Sequence, residues 1–248
     1  IFISLSLIIL IFTYIFCASQ DALDENDVHA VYSIIFFSIG LLFTIILPAT
    51  AITHEKETRS WNLLLTTTLS SGQIAWGKFI GSIKRCLPAW GYLAGHLLLF
   101  TLTGFIHPLG ILQIFIIATG TCIFLIGSGL LFSTIFKRTT TAVIMNFIFA
   151  AVLWAGIPFV MAIFLSINRS SMPDLCELYI NAIPYVQTVV SMEMTASGVH
   201  GLRGFHWPTG TMTPFESTIT MLFINGIYSA AGIFMIWMAK NKFRKKII

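Results

Sequence analysis

The stretch GILQIFIIATGTCIFLIGSGLLFSTIF, residues 110–136, decides the fold: 27 consecutive residues contain no Asp, Glu, Lys or Arg. As a helix rising 1.5 Å per residue it would extend about 40 Å, more than the roughly 30 Å hydrocarbon core of a bilayer. Five more segments share this character, at residues 1–17, 30–52, 86–105, 142–166 and 218–239. The other structure that satisfies its backbone in lipid is the closed barrel. Its strands are about ten alternating residues long, and these continuous runs do not alternate. The expected fold is all-α, a polytopic transmembrane bundle of about six spans forming one domain over residues 1–248.

Composition leads to the same class. Of 248 residues, 56% are hydrophobic and 14% aromatic, but only 10% are charged, whereas a soluble domain carries roughly 25% charged residues. Mean hydropathy is +0.88. These values exclude a water-soluble globule and a disordered chain. Glycine is not periodic, which excludes collagen, and four cysteines in this length make no disulfide framework. The spans leave no room for a large soluble domain. The chain opens on an apolar run without an initiator Met, which predicts a preceding segment.

The few charges set the orientation. Twelve of the fourteen basic residues fall in three places: Lys56, Arg59, Lys78, Lys84 and Arg85; Lys137 and Arg138; and Lys240, Lys242, Arg244, Lys245 and Lys246. The opposite side has Arg169 and Arg203, with the acidic stretch Asp21, Asp24, Glu25 and Asp27. The positive-inside rule then puts the three basic segments and both termini in the cytoplasm. The net charge of +4 reports topology; no nucleic-acid partner is expected, and the tail is expected to touch anionic membrane lipid. Cys17-Ala18-Ser19 has the small residues of a signal-peptidase site. A retained first span is favoured, because its apolar run exceeds an h-region of about 7–15 residues.

Two segments are neither spans nor short turns: a cytoplasmic one at 53–85 and an outer one at 168–216. In the first, a helix over residues 55–65 would line up Trp61, Leu64 and Leu65 on one stripe, with Glu55, Arg59 and Asn62 on a polar face. This predicts an amphipathic helix at the membrane surface. Thr66-Thr67-Thr68 breaks the pattern. Ser70 with Gln73 then fits a capping box, and Leu69 with Ile74 fits a hydrophobic staple, so a second helix should start near Ser71. Pro88 marks a new start or a kink on the way into the third span.

The run from Glu55-Lys56-Glu57-Thr58-Arg59-Ser60-Trp61 through Leu63-Leu64-Leu65-Thr66-Thr67-Thr68-Leu69-Ser70, followed by Ile74 and Gly77-Lys78, resembles the ABC-2 family of ABC transporter permeases. That family follows its second span with a charged start, a Leu-Leu-Thr run, a Pro-Leu-Ser turn and a Gly-Lys leading into the third. The six-span layout and the long outer connection are also similar. Here Thr68 stands where Pro is usual, and Arg59-Ser60 where Gly-Thr is common. The resemblance implies a membrane permease subunit of an ATP-driven transporter, usually an exporter, in a bacterial inner (plasma) membrane. It implies a homodimer, or a heterodimer with a second permease, bound to ATP-binding cassette subunits. The cytoplasmic segment would be a coupling helix contacting that partner through Glu55, Glu57, Arg59, Trp61, Leu64, Leu65, Leu69 and Lys78.

Residues 72–78 match the first seven positions of a P-loop, but Phe79 replaces the hydroxyl residue that would ligate magnesium, and no strand precedes them. The chain is therefore not expected to bind ATP there. The resemblance implies that it is not an enzyme, with no catalytic residues or cofactor of its own, and that ATP and magnesium belong to the partner subunit. The spans lack acidic and basic residues. His96, Asn146 and Asn225, together with Gln113, are the strong hydrogen-bonding groups within them. The first three are candidates for a substrate path, with helix-to-helix bonding as the other reading. An apolar lining suits lipids, drugs or peptides. Gly77 with Gly81, Gly91 with Gly95, and Gly120 with Gly127 read as close-packing faces.

In the outer segment, residues 175–196 are moderately apolar and interrupted by Pro184, which fits an interfacial or re-entrant helical hairpin. Residues 198–214 read as a loop with Trp207 as an interfacial anchor. His200 and His206 make no metal site on their spacing. Cys17 and Cys176 are candidates for pairing, and Cys86 and Cys122 read as inert apolar residues. Two other functions share these features. An ion-coupled secondary carrier would use His96, and a non-transporting membrane scaffold would recruit a cytoplasmic partner through the amphipathic segment.

Overall fold

The computed structural model describes residues 2–20, 26–60, 69–168, 174–196, 202–207 and 210–242. It is all-α apart from one two-stranded hairpin. In chain order come α1 (Phe2–Ser19), α2 (Asn26–Thr50), α3 (Thr53–Glu57), α4 (Ser71–Leu102), α5 (Pro108–Ile135) and α6 (Thr139–Ala151). A π-helical turn (Val152–Gly156) joins α6 to α7 (Ile157–Asn168). Then follow α8 (Asp174–Asn181), α9 (Pro184–Thr195), β1 (Phe205–Trp207), β2 (Gly210–Met212) and α10 (Pro214–Lys242).

Among the described residues, four helical stretches are long and apolar enough to cross a membrane: Asp27–Glu57, Pro108–Ile135, Thr139–Ile167 and Pro214–Lys242. The segments expected to be the first and third spans are helical but outside these four. Among the described residues α1 contributes the shorter apolar stretch Leu10–Ser19. Along α4 the apolar character is diluted by Lys78, Lys84, Arg85 and His96.

The centre of the bundle is α5, which packs on α10 most extensively and also touches α2, α4, α6 and α9. Its residues Ile117, Leu125 and Ile126 are fully buried. Glycines set the closest approach: a Cβ on Gly120 would meet Asn225 at 2.5 Å, and one on Gly127 would collide with the backbone of Gly232. These two glycines, read from the sequence as a close-packing face, pack inside the bundle. Gly77, Gly81, Gly91 and Gly95 have nothing within 4 Å of such a Cβ, so among the described residues they form no packing face. A separate apolar cluster of Ile52, Ile74, Ala75, Phe79, Ile126, Leu130, Ile236 and Ala239 lies at the basic end and ties α4 to α5 and α10 there.

Three elements differ from expectation. The helix expected over 55–65 is interrupted after Glu57, where Thr58 and Ser60 turn their hydroxyls back onto the carbonyls of His54 and Glu55 (3.0 to 3.3 Å) and Arg59 takes a left-handed φ of 61°; Ser60 is helical again, and residues 61–65 lie outside the described residues. Pro88 starts no new helix and lies inside one. The helix runs unbroken from Ser71 to Leu102, and the neighbouring turn is held to α2 by the Trp90 indole donating to Thr44 Oγ1 at 3.0 Å. The expected loop at 198–214 contains an antiparallel hairpin that pairs Phe205 with Met212 and His206 with Thr211.

Candidate functional site

The segment between α2 and α4 begins where α2 ends. Thr53 and the residue before it, Ile52, present amides with no helical acceptor, as at any helix start. Ser133, near the end of α5, takes both: its Oγ accepts from the Ile52 amide at 2.9 Å and the Thr53 amide at 3.0 Å. Lys56 answers the complementary need at the other terminus. Its ammonium donates to the carbonyls of Ser133 (2.6 Å), Thr134 (2.8 Å) and Phe136 (3.0 Å), the last carbonyls of α5, where a cation is favoured by the helix dipole.

Glu57 does the same for α6. Its carboxylate accepts from the Thr139 amide at 2.7 Å and the Thr139 hydroxyl at 2.8 Å, at the N-terminus where anions are favoured. Glu55 forms an ion pair with Lys78 on α4. At the start of α4 the capping box is present: Ser70 Oγ accepts from the Gln73 amide at 3.2 Å and Gln73 Oε1 from the Ser70 amide at 2.8 Å.

Of the expected partner-contact residues, Glu55 and Lys78 thus meet each other and Glu57 meets α6. Arg59 and Leu69 are exposed. Trp61, Leu64 and Leu65 lie outside the described residues. Residues 72–78 are helical, with Lys78 turned to Glu55. Lys56, Ser133 and Thr139 were not singled out from sequence, since their roles depend on contacts some 80 positions away.

The three candidate path residues do not form one cluster. His96 is buried where α1, α2 and α4 meet, its Nδ1 2.7 Å from the Tyr14 hydroxyl and its ring packed at tilted angles among His29, Tyr32, Phe36 and Phe100. Asn146 joins α6 to two helices, donating to the Ile45 carbonyl at 2.8 Å and accepting from the Ser128 hydroxyl at 2.7 Å. Asn225 donates to Gln187 Oε1 on α9 and to the Met221 carbonyl, both at 2.8 Å. Gln113 donates to Thr218 Oγ1 at 2.9 Å. Each is engaged in helix-to-helix bonding.

Around the segment at 168–216, the Tyr179 hydroxyl donates to the Leu153 carbonyl, and Tyr228 donates to the Ala182 carbonyl at 2.9 Å while accepting from Trp154 Nε1 at 3.0 Å. His206 Nδ1 lies 3.0 Å from Thr211 Oγ1, and His200 is outside the described residues. All four cysteines are free thiols, so Cys17 and Cys176 are not paired. Neither a protein-family model nor a curated protein sequence matches this chain.

Proposed function

We propose that this chain is the membrane permease subunit of an ATP-driven transporter of the ABC-2 kind, an exporter in a bacterial inner membrane with both termini cytoplasmic. In this reading six spans are supplied by α1, α2, the second half of α4, α5, α6 with α7, and α10. The pair α8 and α9 forms a re-entrant hairpin in the outer half of the bundle. The subunit pairs with itself or a second permease and binds two ATP-binding cassette subunits, which carry the ATP, the magnesium and the hydrolysis.

One observation carries the reading. The short polar segment after α2 is bonded at once to α4 through Glu55 and Lys78, to α5 through Lys56 and Ser133, and to α6 through Glu57 and Thr139. A partner pushing on that segment would therefore displace three helices together, as a coupling element requires. Arg59 adds support. It occupies the position where the resembled family commonly has Gly, and its φ of 61° is a conformation that glycine adopts without cost.

The test is co-expression with the ATP-binding cassette proteins of the same genome. A stable complex with nucleotide-dependent transport is expected, lost on Trp61→Ala or on charge reversal at Glu55 and Glu57. Assembly and transport unchanged by these substitutions would overturn the coupling role.

A further inference from the structure

The uncharged runs share a common middle. Residue 123 is the midpoint of the run in α5, residue 154 that of the run through α6 and α7, and residues 228–229 that of the run in α10. In space these three points meet: the Tyr228 ring lies 5.1 Å from that of Phe124 and 6.2 Å from that of Trp154, between centroids. For α2 the midpoint is residue 41, and Thr44 joins that level to α5 through Cys122, with Oγ1 and Sγ 3.9 Å apart. Contacts between these helices therefore fix the mid-depth of the bundle.

Trp90 of α4 belongs to this level. Its indole donates to Thr44 Oγ1 at 3.0 Å, its ring packs on Phe37 with centroids 5.3 Å apart, and a Cβ on Gly40 would meet that ring at 2.7 Å. Lys84 and Arg85 come six and five residues earlier, about 9 and 7.5 Å along the helix. Half of a hydrocarbon core is about 15 Å, so both Cα positions fall inside it, and any tilt of α4 brings them closer to the middle. The uncharged run of α4 begins at Cys86, just past the two cations, yet the packing of Trp90 draws both into the span.

Charged side chains at such depth almost always face the bundle interior or pair with an opposite charge. These do neither. Both are exposed on the surface of the bundle, and the ion pair found among the described residues, Lys78 with Glu55, lies nearer the end of α4. Side chains on a helix lean toward its N-terminus, which for α4 is the basic end, so the two long stems carry their heads toward the boundary where lipid phosphates lie. Toward mid-depth the same surface is apolar, with Leu87 and Leu98 exposed and open space about Gly91. A second copy is the poorer occupant. Two copies related by an axis along the membrane normal meet at equal depth, which would set this cationic pair against its own like.

We propose that this face of α4 binds an anionic phospholipid of the leaflet at the basic end, its phosphate held by Lys84 and Arg85 and an acyl chain lying along Leu87, Gly91 and Leu98. The site goes beyond the permease reading and does not depend on it, since lipid retention is read on the chain alone.

The test is native mass spectrometry of the full chain in detergent, equilibrated with equal amounts of dioleoyl phosphatidylglycerol and dioleoyl phosphatidylcholine. Both lipids carry a phosphate and the same chains, and only the first has a net charge. The first lipid retained should be phosphatidylglycerol by about thirtyfold, each cation contributing about fivefold. Lys84→Gln and Arg85→Gln should each lower the preference to about fivefold. The double variant should lose it, and Lys84→Arg should keep it. A preference kept by the double variant but lost in Lys240→Gln with Lys242→Gln would overturn the site, placing the lipid at the end of α10 instead. Displacement of the lipid by excess inorganic phosphate would also overturn it. So would a doubled mass with no lipid retained, which would put a second copy on this face. Should the double variant fold poorly, the single variants and Lys84→Arg still decide the matter.

Discussion

Ser133 Oγ lies 2.9 Å from the amide of Ile52, 81 residues away, and accepts its hydrogen at the point where α2 gives way to α3. The same oxygen takes the Thr53 amide, so one small side chain satisfies both backbone donors of the joint. Both residues are fully buried. Ser133→Ala would leave two buried amides without an acceptor, a loss of about 1–3 kcal/mol. Thermal unfolding of the purified chain in detergent should show that loss. Ser133→Cys, which keeps a weak acceptor, should fall between the two, and a Ser133→Ala variant as stable as wild type would mean that water replaces the hydroxyl.

Glu57 joins the same segment to α6 from the exposed side, by two bonds to Thr139. The amide at the first residue of a helix has no partner within the helix, and a carboxylate there also meets the positive end of the dipole. Glu57→Ala is expected to speed amide exchange over the first turn of α6 severalfold while leaving α5 at its wild-type rate. Glu57→Gln should be intermediate, because an amide oxygen still accepts but carries no charge. Equal rates in all three proteins would show that α6 starts without this contact.

Packed and open glycines should respond in opposite ways. A methyl group on Gly232 would run into the Ile123 carbonyl, and one on Gly127 into the backbone of Gly232. Backbone cannot rotate aside as a side chain can, so Gly232→Ala or Gly127→Ala must part α5 from α10, at a cost of about 1–3 kcal/mol. Gly77→Ala and Gly91→Ala meet nothing within 4 Å, and helix propensity favours alanine there by up to about 1 kcal/mol. Melting temperatures of the four variants, measured side by side, check this. A destabilised Gly91→Ala would reveal a neighbour on that face supplied by another molecule.

What the sequence made legible was local or periodic. Ser70 and Gln73 are three residues apart, so their reciprocal caps can be read directly, and long uncharged runs need only be counted. The break at Arg59 was hidden because a continuous apolar and polar stripe does not register a single left-handed residue. Ser133 and Thr139 were invisible for another reason: a serine near a helix end has many uses, and only the fold brings Ile52 and Glu57 to it. The Tyr179 contact did leave a trace. Pro158 inside an uncharged run announces that a carbonyl one turn earlier lacks its amide, although which hydroxyl would arrive depends on how α8 packs.

Asn146 can be tested as a helix tie rather than a path residue. Its side chain is fully buried. The amide nitrogen donates to the Ile45 carbonyl on α2 and the oxygen accepts from Ser128 on α5, so both ends of the group are engaged by protein. Hydrogen bonds between membrane helices contribute about 0.6–2 kcal/mol each. Asn146→Ala should therefore lower stability by about 1–3 kcal/mol. Asn146→Asp should cost more, since a carboxylate keeps the Ser128 bond but loses the donor to Ile45 and places a charge among apolar neighbours. Under the permease reading proposed above, reconstituted transport, compared at a temperature where every variant stays folded, separates the roles. A tie predicts that Asn146→Ala keeps the wild-type preference among lipid, drug and peptide substrates. A changed preference at unchanged stability would assign Asn146 to the path.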